Sequence, residues 1–240
     1  MSNWFVITSA INVSSNEINN ERFLQTIGTI DSIRHYCENT KIVLLDAGRI
    51  GLSYSQQIKL ENKCDVVIQS QDNPIKILIE DLAKGNIQYL KSTGELLILS
   101  EFMKNQKILT QSDRVFKISG RYFLTPDFDL NAHNKVGKFV FVNRKPSVTY
   151  YNPETMENLP KISDWQYMTR MYSFCGSLIP FMTEAYENML IRLVDIYFNR
   201  KEFTDIEHLM YTTLDEKRVV QLDKIGVAGL LSDNGEYISE

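Results

Sequence analysis

The stretch Arg114-Val115-Phe116-Lys117-Ile118-Ser119-Gly120-Arg121-Tyr122 holds the side chains best suited to chemistry: a β-type run that ends in Ser-Gly, with two cations and an aromatic around the turn. In open α/β sheets ligands gather outside the carboxyl ends of the strands, where backbone amides and side chains leave the sheet together. Lys117 and Arg121 would stand on that rim. An arginine fork matches phosphate oxygens in pairs and a lysine adds a compact point charge, so a diphosphate is the natural guest. The competing reading of this K-x-x-x-R pair is a surface hairpin.

Three further constellations bear on chemistry. Asp127-Phe128-Asp129 has the D-x-D form that holds Mn²⁺ or Mg²⁺ through hard carboxylate oxygens. In a chain with 30 acidic residues such a pair also arises by chance, and a solvated loop after Pro126 accounts for it. Fixed cations serve the same electrostatic purpose at a leaving diphosphate, so use of a metal and independence from one both stay open. Thr204-Asp205-Ile206-Glu207-His208 reads as a capping box in which Glu207 reaches back to the Thr204 amide. The same residues crowd the positive end of a helix, where Glu207, or second to it Asp205, could deprotonate a hydroxyl and His208 could donate to a phosphate oxygen. Lys91 and Glu95, four apart, form either an exposed helical ion pair or a face beside a nucleotide. Gly85 with Lys91-Ser92 is no P-loop, because Leu90 stands where a glycine is required. Trp165, Tyr167, Tyr172 and Phe174 offer either core packing or faces on which a sugar could stack.

Short apolar runs and helical stripes must position these groups. Trp4–Ala10 and Lys41–Asp46 have the unbroken apolar texture of buried parallel strands, and Phe23, Ile27, Ile30, Ile33 and Cys37 between them recur at helical spacing. That is a βαβ unit, with both strand ends on one rim. A third strand is expected over Cys64–Ile68, helices over Ile75–Ala83 and Ile87–Met103, and the central strand over Val115–Ser119. Beyond it the texture turns mixed or antiparallel: Phe139–Val142, Val148–Tyr151 and the aromatic Met168–Ile179 region read as strands. Helices follow from Glu184 behind Thr183 and from Asp205 behind Thr204. Gly226–Glu240 reads as a flexible end or a lid.

At 240 residues, with 43% hydrophobic and 23% charged residues, the chain can bury a sizeable core without staples. A net charge of −4 without a basic run argues against nucleic acid as a partner. Three scattered cysteines lack metal or disulfide spacing, which suits a reducing compartment. No signal-peptide pattern and no membrane-spanning run is present, so a cytoplasmic protein is expected, with peripheral membrane contact left open. Hydrolase, zinc-protease and dinucleotide motifs are missing as well.

Phe5–Ala10, Glu21-Arg22-Phe23, Lys117–Tyr122, Ile206-Glu207-His208 and Gly226-Val227-Ala228-Gly229 together resemble small glycosyltransferases of bacterial surface-polysaccharide loci and large viruses, over nearly the whole chain. The resemblance implies an α/β GT-A fold, Rossmann-like, as one domain with a mixed central sheet. Residues 1–122 would bind nucleotide and residues 123–240 the acceptor. The implied activity moves a sugar from a nucleoside-diphosphate sugar to a glycan or lipid-linked glycan, as in capsule or lipopolysaccharide synthesis. The alternatives are a sugar nucleotidyltransferase and a non-catalytic glycan-binding protein that keeps the fold. By this resemblance Thr8, Ser9 and Asp46 meet the nucleoside. Lys117, Gly120, Arg121 and Tyr122 occupy the rim where many members carry D-x-D, which puts a metal at Asp127 and Asp129 in question. Glu207 matches the acidic base of inverting members, with His208 at the phosphates.

Overall fold

The computed structural model describes residues 3–83, 87–105, 112–147, 162–200, 202, 204–231 and 235–240. Its first half alternates strand and helix: β1 (Trp4–Ser9), α1 (Asn16–Tyr36), β2 (Lys41–Asp46), α2 (Tyr54–Glu61), β3 (Val66–Gln69), α3 (Pro74–Ala83), α4 (Ile87–Asn105) and β4 (Arg114–Ser119). The second half is β-rich: β5 (Tyr122–Leu124), the single turn α5 (Leu130–His133), β6 (Phe139–Val142), β7 (Lys145–Pro146), β8 (Trp165–Gln166) and β9 (Met171–Cys175). It closes with α6 (Ile179–Asp195), α7 (Ile206–Thr213), β10 (Val219–Leu222), β11 (Val227–Leu230) and β12 (Tyr237–Ser239).

Seven strands form one sheet in the order β10-β6-β9-β4-β1-β2-β3, with β9 antiparallel to both neighbours and the other pairings parallel. The mixed central sheet is therefore as expected, and it is buried on both faces, which explains the unbroken apolar runs. Successive side chains of a strand point to opposite faces. Thus Val6, Val43 and Val115 pack against α4 and α6 through Leu96, Leu99, Met182 and Tyr186. Phe5, Ile7, Ile42, Leu44, Phe116 and Ile118 pack on the other face with Phe23, Ile30 and Ile33 of α1.

Several expected boundaries move. The α6 helix begins at Ile179, with Pro180 in its first turn, and Thr183 is no cap: its hydroxyl donates to Ile179 O (2.9 Å) inside the helix. The cap of α7 is Asp205 rather than Thr204, because Asp205 Oδ1 accepts the His208 amide (3.0 Å). The C-terminal segment is no lid: β11 and β12 form a three-stranded antiparallel sheet with β5. Gly226 makes that return possible, since its φ is +73° and an added Cβ would lie 2.2 Å from the Phe128 backbone. The strand expected over Val148–Tyr151 lies outside the described residues. Among the described residues no helix is long and apolar enough to cross a membrane.

Candidate functional site

The chain reverses its direction of travel across the sheet at β1: β2 lies on one side of it and β4 on the other, both parallel to it. Such a switch point leaves a crevice at the carboxyl ends of the strands, because the connections depart in opposite directions. A cavity of about 450 Å³ opens there, within the range of small-molecule sites. Thr8 and Ser9 close it from β1, Ser119 and Gly120 from the end of β4, and Arg22, Lys76 and Glu95 from α1, α3 and α4. Val13, Ile18, Ala47, Ile79, Leu90, Leu97 and Ile98 make much of the remaining wall apolar.

Close packing sets the floor. Gly120 donates its amide to Thr8 O (2.8 Å), and a Cβ at this position would meet Thr26 Oγ1 at 3.0 Å and Ser9 Oγ at 3.1 Å. A side chain here would push the Thr26 and Ser9 hydroxyls back by a few tenths of an ångström, so glycine suits the close approach of the β4 end to α1 and β1. The Ser9 and Thr26 hydroxyls are themselves 2.9 Å apart.

Five cations line the cavity: Arg22, Arg49, Lys76, Lys91 and Arg121, against the carboxylates Glu80 and Glu95. Lys76 is engaged, donating to Ala47 O (2.9 Å) and Gly48 O (2.7 Å), and burial holds its pKa below the ordinary value. Arg22 donates one hydrogen bond to Ala10 O (3.0 Å). Burial first, and then the charge of Arg121, lower the Arg22 pKa. Two guanidiniums are thus held within each other's field, and the side chain of Arg121 makes no ion pair with the described residues. An anion between them would relieve that repulsion, as charge-assisted bonds to a phosphate do elsewhere.

Lys117, expected at the rim, is 1% exposed and does not line the cavity. It sits mid-strand with its side chain on the α4 side, where the ammonium pairs with Glu95 Oε1 and donates to Thr169 O (2.7 Å). Tyr122 is also buried, at 3%, in the core under α1. Asp46 turns inward at 1% exposure, where Oδ1 accepts the Ile11 amide (2.8 Å); burial, opposed by that bond, pushes its carboxyl up to about 6. Its place is to hold the loop after β1 rather than to line the cavity. Thr8, Ser9, Lys91, Gly120 and Arg121 do line it.

The D-x-D carboxylates lie apart from the cavity. Asp127 pairs with Lys224 (3.2 Å) at the surface, and Asp129 caps α5 by accepting the Asn131 amide (2.8 Å). Among the described residues no three His, Cys, Asp or Glu side chains come together as metal ligands. The two cavity carboxylates are likewise no ready metal cage, since Glu95 already balances Lys117. The described residues therefore do not fit a divalent ion.

Asp205, Glu207 and His208 are not among the residues that line the cavity. The half-buried Glu207 does not fold back to Thr204; its Oε1 accepts the Thr169 hydroxyl (2.6 Å). Burial, then the Asp205 charge, push its carboxyl up to about 7, against the Thr169 bond. Asp205 Oδ1 lies 2.6 Å from His208 Nδ1, and His208 Nε2 lies 2.6 Å from Ser147 Oγ, so both are engaged as supports. Of the aromatic set, Tyr167, Tyr172 and Phe174 are core and only Trp165 is exposed, stacked by the Arg144 guanidinium 4.8 Å from its ring centre.

Sequence reasoning did not single out Arg22 for the site or assign Glu95 a partner in the core. The available signal for Arg22 was helical spacing: Arg22 and Thr26 share a face, and Thr26 faces Ser9.

No protein-family model and no curated protein sequence matches this chain. Solved structures do. Core-mannan synthase A from Aspergillus fumigatus, in a Mn/GDP form, superposes with a TM-score of 0.55 at 10% identity, covering 95% of this chain and 74% of that one. The mannosyltransferase Ktr4p from S. cerevisiae gives 0.54 at 10% identity, covering 92% and 69%. The bifunctional glycosyltransferase WbbM gives 0.52 at 12%, covering 92% of this chain but 38% of that one. At such identities the likeness establishes the fold, and the fold is GT-A.

Proposed function

We propose that this chain is a glycosyltransferase that takes a sugar from a nucleoside-diphosphate donor and passes it to a glycan or lipid-linked glycan. The observation that carries the reading is the Arg22–Arg121 pair, two cations facing a mostly apolar cavity at the switch point of a GT-A sheet. Such a cavity suits a nucleoside diphosphate: apolar walls cover the base, and guanidinium forks take up the phosphates. Fixed cations also stabilise the charge that grows on the departing diphosphate during transfer. The proximity of the Mn/GDP-bound fungal enzyme in fold space is consistent with that ligand class.

Glu207 is assigned the acceptor's proton from a position outside the donor cavity, to which it is joined through Thr169, Lys117 and Glu95. Its carboxyl, raised to about 7, has the basicity that proton abstraction near neutral pH requires. Asp205 and His208 brace the start of α7 on which it sits. Lys117 and Tyr122 serve the core rather than the donor, Lys117 in β4 and Tyr122 in β5.

The test is release of nucleoside diphosphate from a panel of UDP- and GDP-sugars in the presence of glycan acceptors. Arg121→Ala and Glu207→Gln should each lower turnover by about tenfold or more with the fold intact, the effect of losing a charge-assisted contact worth about 1.5–3 kcal/mol. Wild-type rates in both variants would dismiss the reading. Release of pyrophosphate from a nucleoside triphosphate and a sugar phosphate would replace it with nucleotidyl transfer.

A further inference from the structure

We infer that Glu95 is the group that recognises hydroxyls of the ligand, and that the buried Lys117 exists to hold it ready. Glu95 lines the cavity with its side chain 25% exposed, whereas its partner Lys117 is 1% exposed. Both of its contacts fall on one oxygen: Oε1 accepts the Thr8 hydroxyl (3.0 Å) and pairs with the Lys117 ammonium. Oε2 makes no hydrogen bond or ion pair with the described residues. A carboxylate pinned through one oxygen and open through the other is an acceptor fixed in place before the ligand arrives.

Charge decides what it accepts from. A carboxylate repels phosphate, so the proposed diphosphate lies at Arg22 and Arg121, off the α4 helix, rather than at Glu95 itself. Hydroxyl groups are the neutral donors that remain. The buried ammonium explains why the carboxylate can persist beside apolar walls, since a charge there needs a partner. Lys117 in turn is satisfied by Thr169 O, and Thr169 by Glu207, so the Glu95 anchor runs on into the segment that carries the proposed base.

The assignment rests on the nucleoside-diphosphate reading above. In such a donor the diphosphate is flanked by two hydroxylated rings, the ribose and the transferred sugar, and a carboxylate beside the phosphate clamp can reach either. Titration calorimetry separates them, using UDP and GDP, their 2′-deoxy counterparts, UDP-glucose and GDP-mannose, on wild type, Glu95→Gln and Glu95→Asp. If ribose is bound, removing the 2′-hydroxyl weakens wild-type binding by about tenfold or more, as expected when a placed acceptor is left unpaired. If the transferred sugar is bound, ribo and deoxy forms bind alike, but the sugar adds about tenfold in wild type. Either discrimination should collapse to within about threefold in Glu95→Gln. Glu95→Asp keeps the charge opposite Lys117 while retracting the open oxygen, so it too should lose discrimination even if the glutamine variant fails to fold.

Wild type showing neither preference, or variants that keep it, would overturn the inference while leaving the phosphate clamp standing. Absence of binding by every nucleotide would instead remove the donor reading and this inference with it.

Discussion

Replacing Glu207 by glutamine should change stability in a way that depends on pH. The carboxyl titrates at about 7 in the folded chain against an ordinary 4.5, with burial the largest cause and the Asp205 charge the next. A folded pKa above the unfolded one means that the folded chain holds the proton more tightly. Wild-type stability is therefore greatest below the unfolded value and falls as pH rises, until the folded group has ionised above about 7. At about 1.36 kcal/mol per pH unit of displacement the whole effect is about 3.4 kcal/mol, and partial solvent access reduces it to about 2. Glutamine carries no proton to lose. Relative to wild type, the variant should gain about 2 kcal/mol between about pH 4.5 and 8. Asp46, raised to about 6, and His133, lowered to about 4 by burial, titrate with opposite signs across the same window. Both are present in the two proteins and cancel in the difference. Urea denaturation of wild type and variant at four pH values measures it. A difference that stays constant within about 0.5 kcal/mol would refute the burial argument.

Other perturbations follow from the same contacts. Arg22→Ala and Arg121→Ala should each weaken nucleoside-diphosphate binding by about 10- to 100-fold in calorimetry, with a smaller loss for the nucleoside. Asp127→Asn should leave donor turnover and its response to Mn²⁺ unchanged, since this carboxylate pairs with Lys224 away from the cavity; a large loss would place the metal there after all. Gly226→Ala, forced against Phe128 at positive φ, should destabilise by about 2 kcal/mol or more and lower the melting temperature by several degrees.

The parallel half was legible because its strands are buried on both faces, so each reads as an uninterrupted apolar run between turn residues. The α6 start was not: Pro180 fits the first turn of a helix as well as it ends a strand, and Leu178-Ile179 just before it resume the apolar texture of β9 after Gly176-Ser177. The C-terminal strands were missed because three- and four-residue strands around Gly229 and Gly235 carry little alternation of their own; they exist because β5 offers an edge. At the site, the Ser-Gly turn after β4 was readable as a rim, and Arg121 does line the cavity. Lys117 was not readable as a core residue. Its face follows from strand parity, but its partner Glu95 lies on a helix whose position against β4 depends on tertiary packing. Arg22 reaches the cavity only because α1 crosses the ends of β1 and β4, which sheet order decides.

The account rests on a diphosphate held between Arg22 and Arg121. A crystal structure of the chain with UDP or GDP measures this most directly: phosphate oxygens about 3 Å from both guanidiniums are the predicted result. A diphosphate bound at the Asp127–Asp129 turn, or anywhere that leaves both arginines without a phosphate contact, would contradict it.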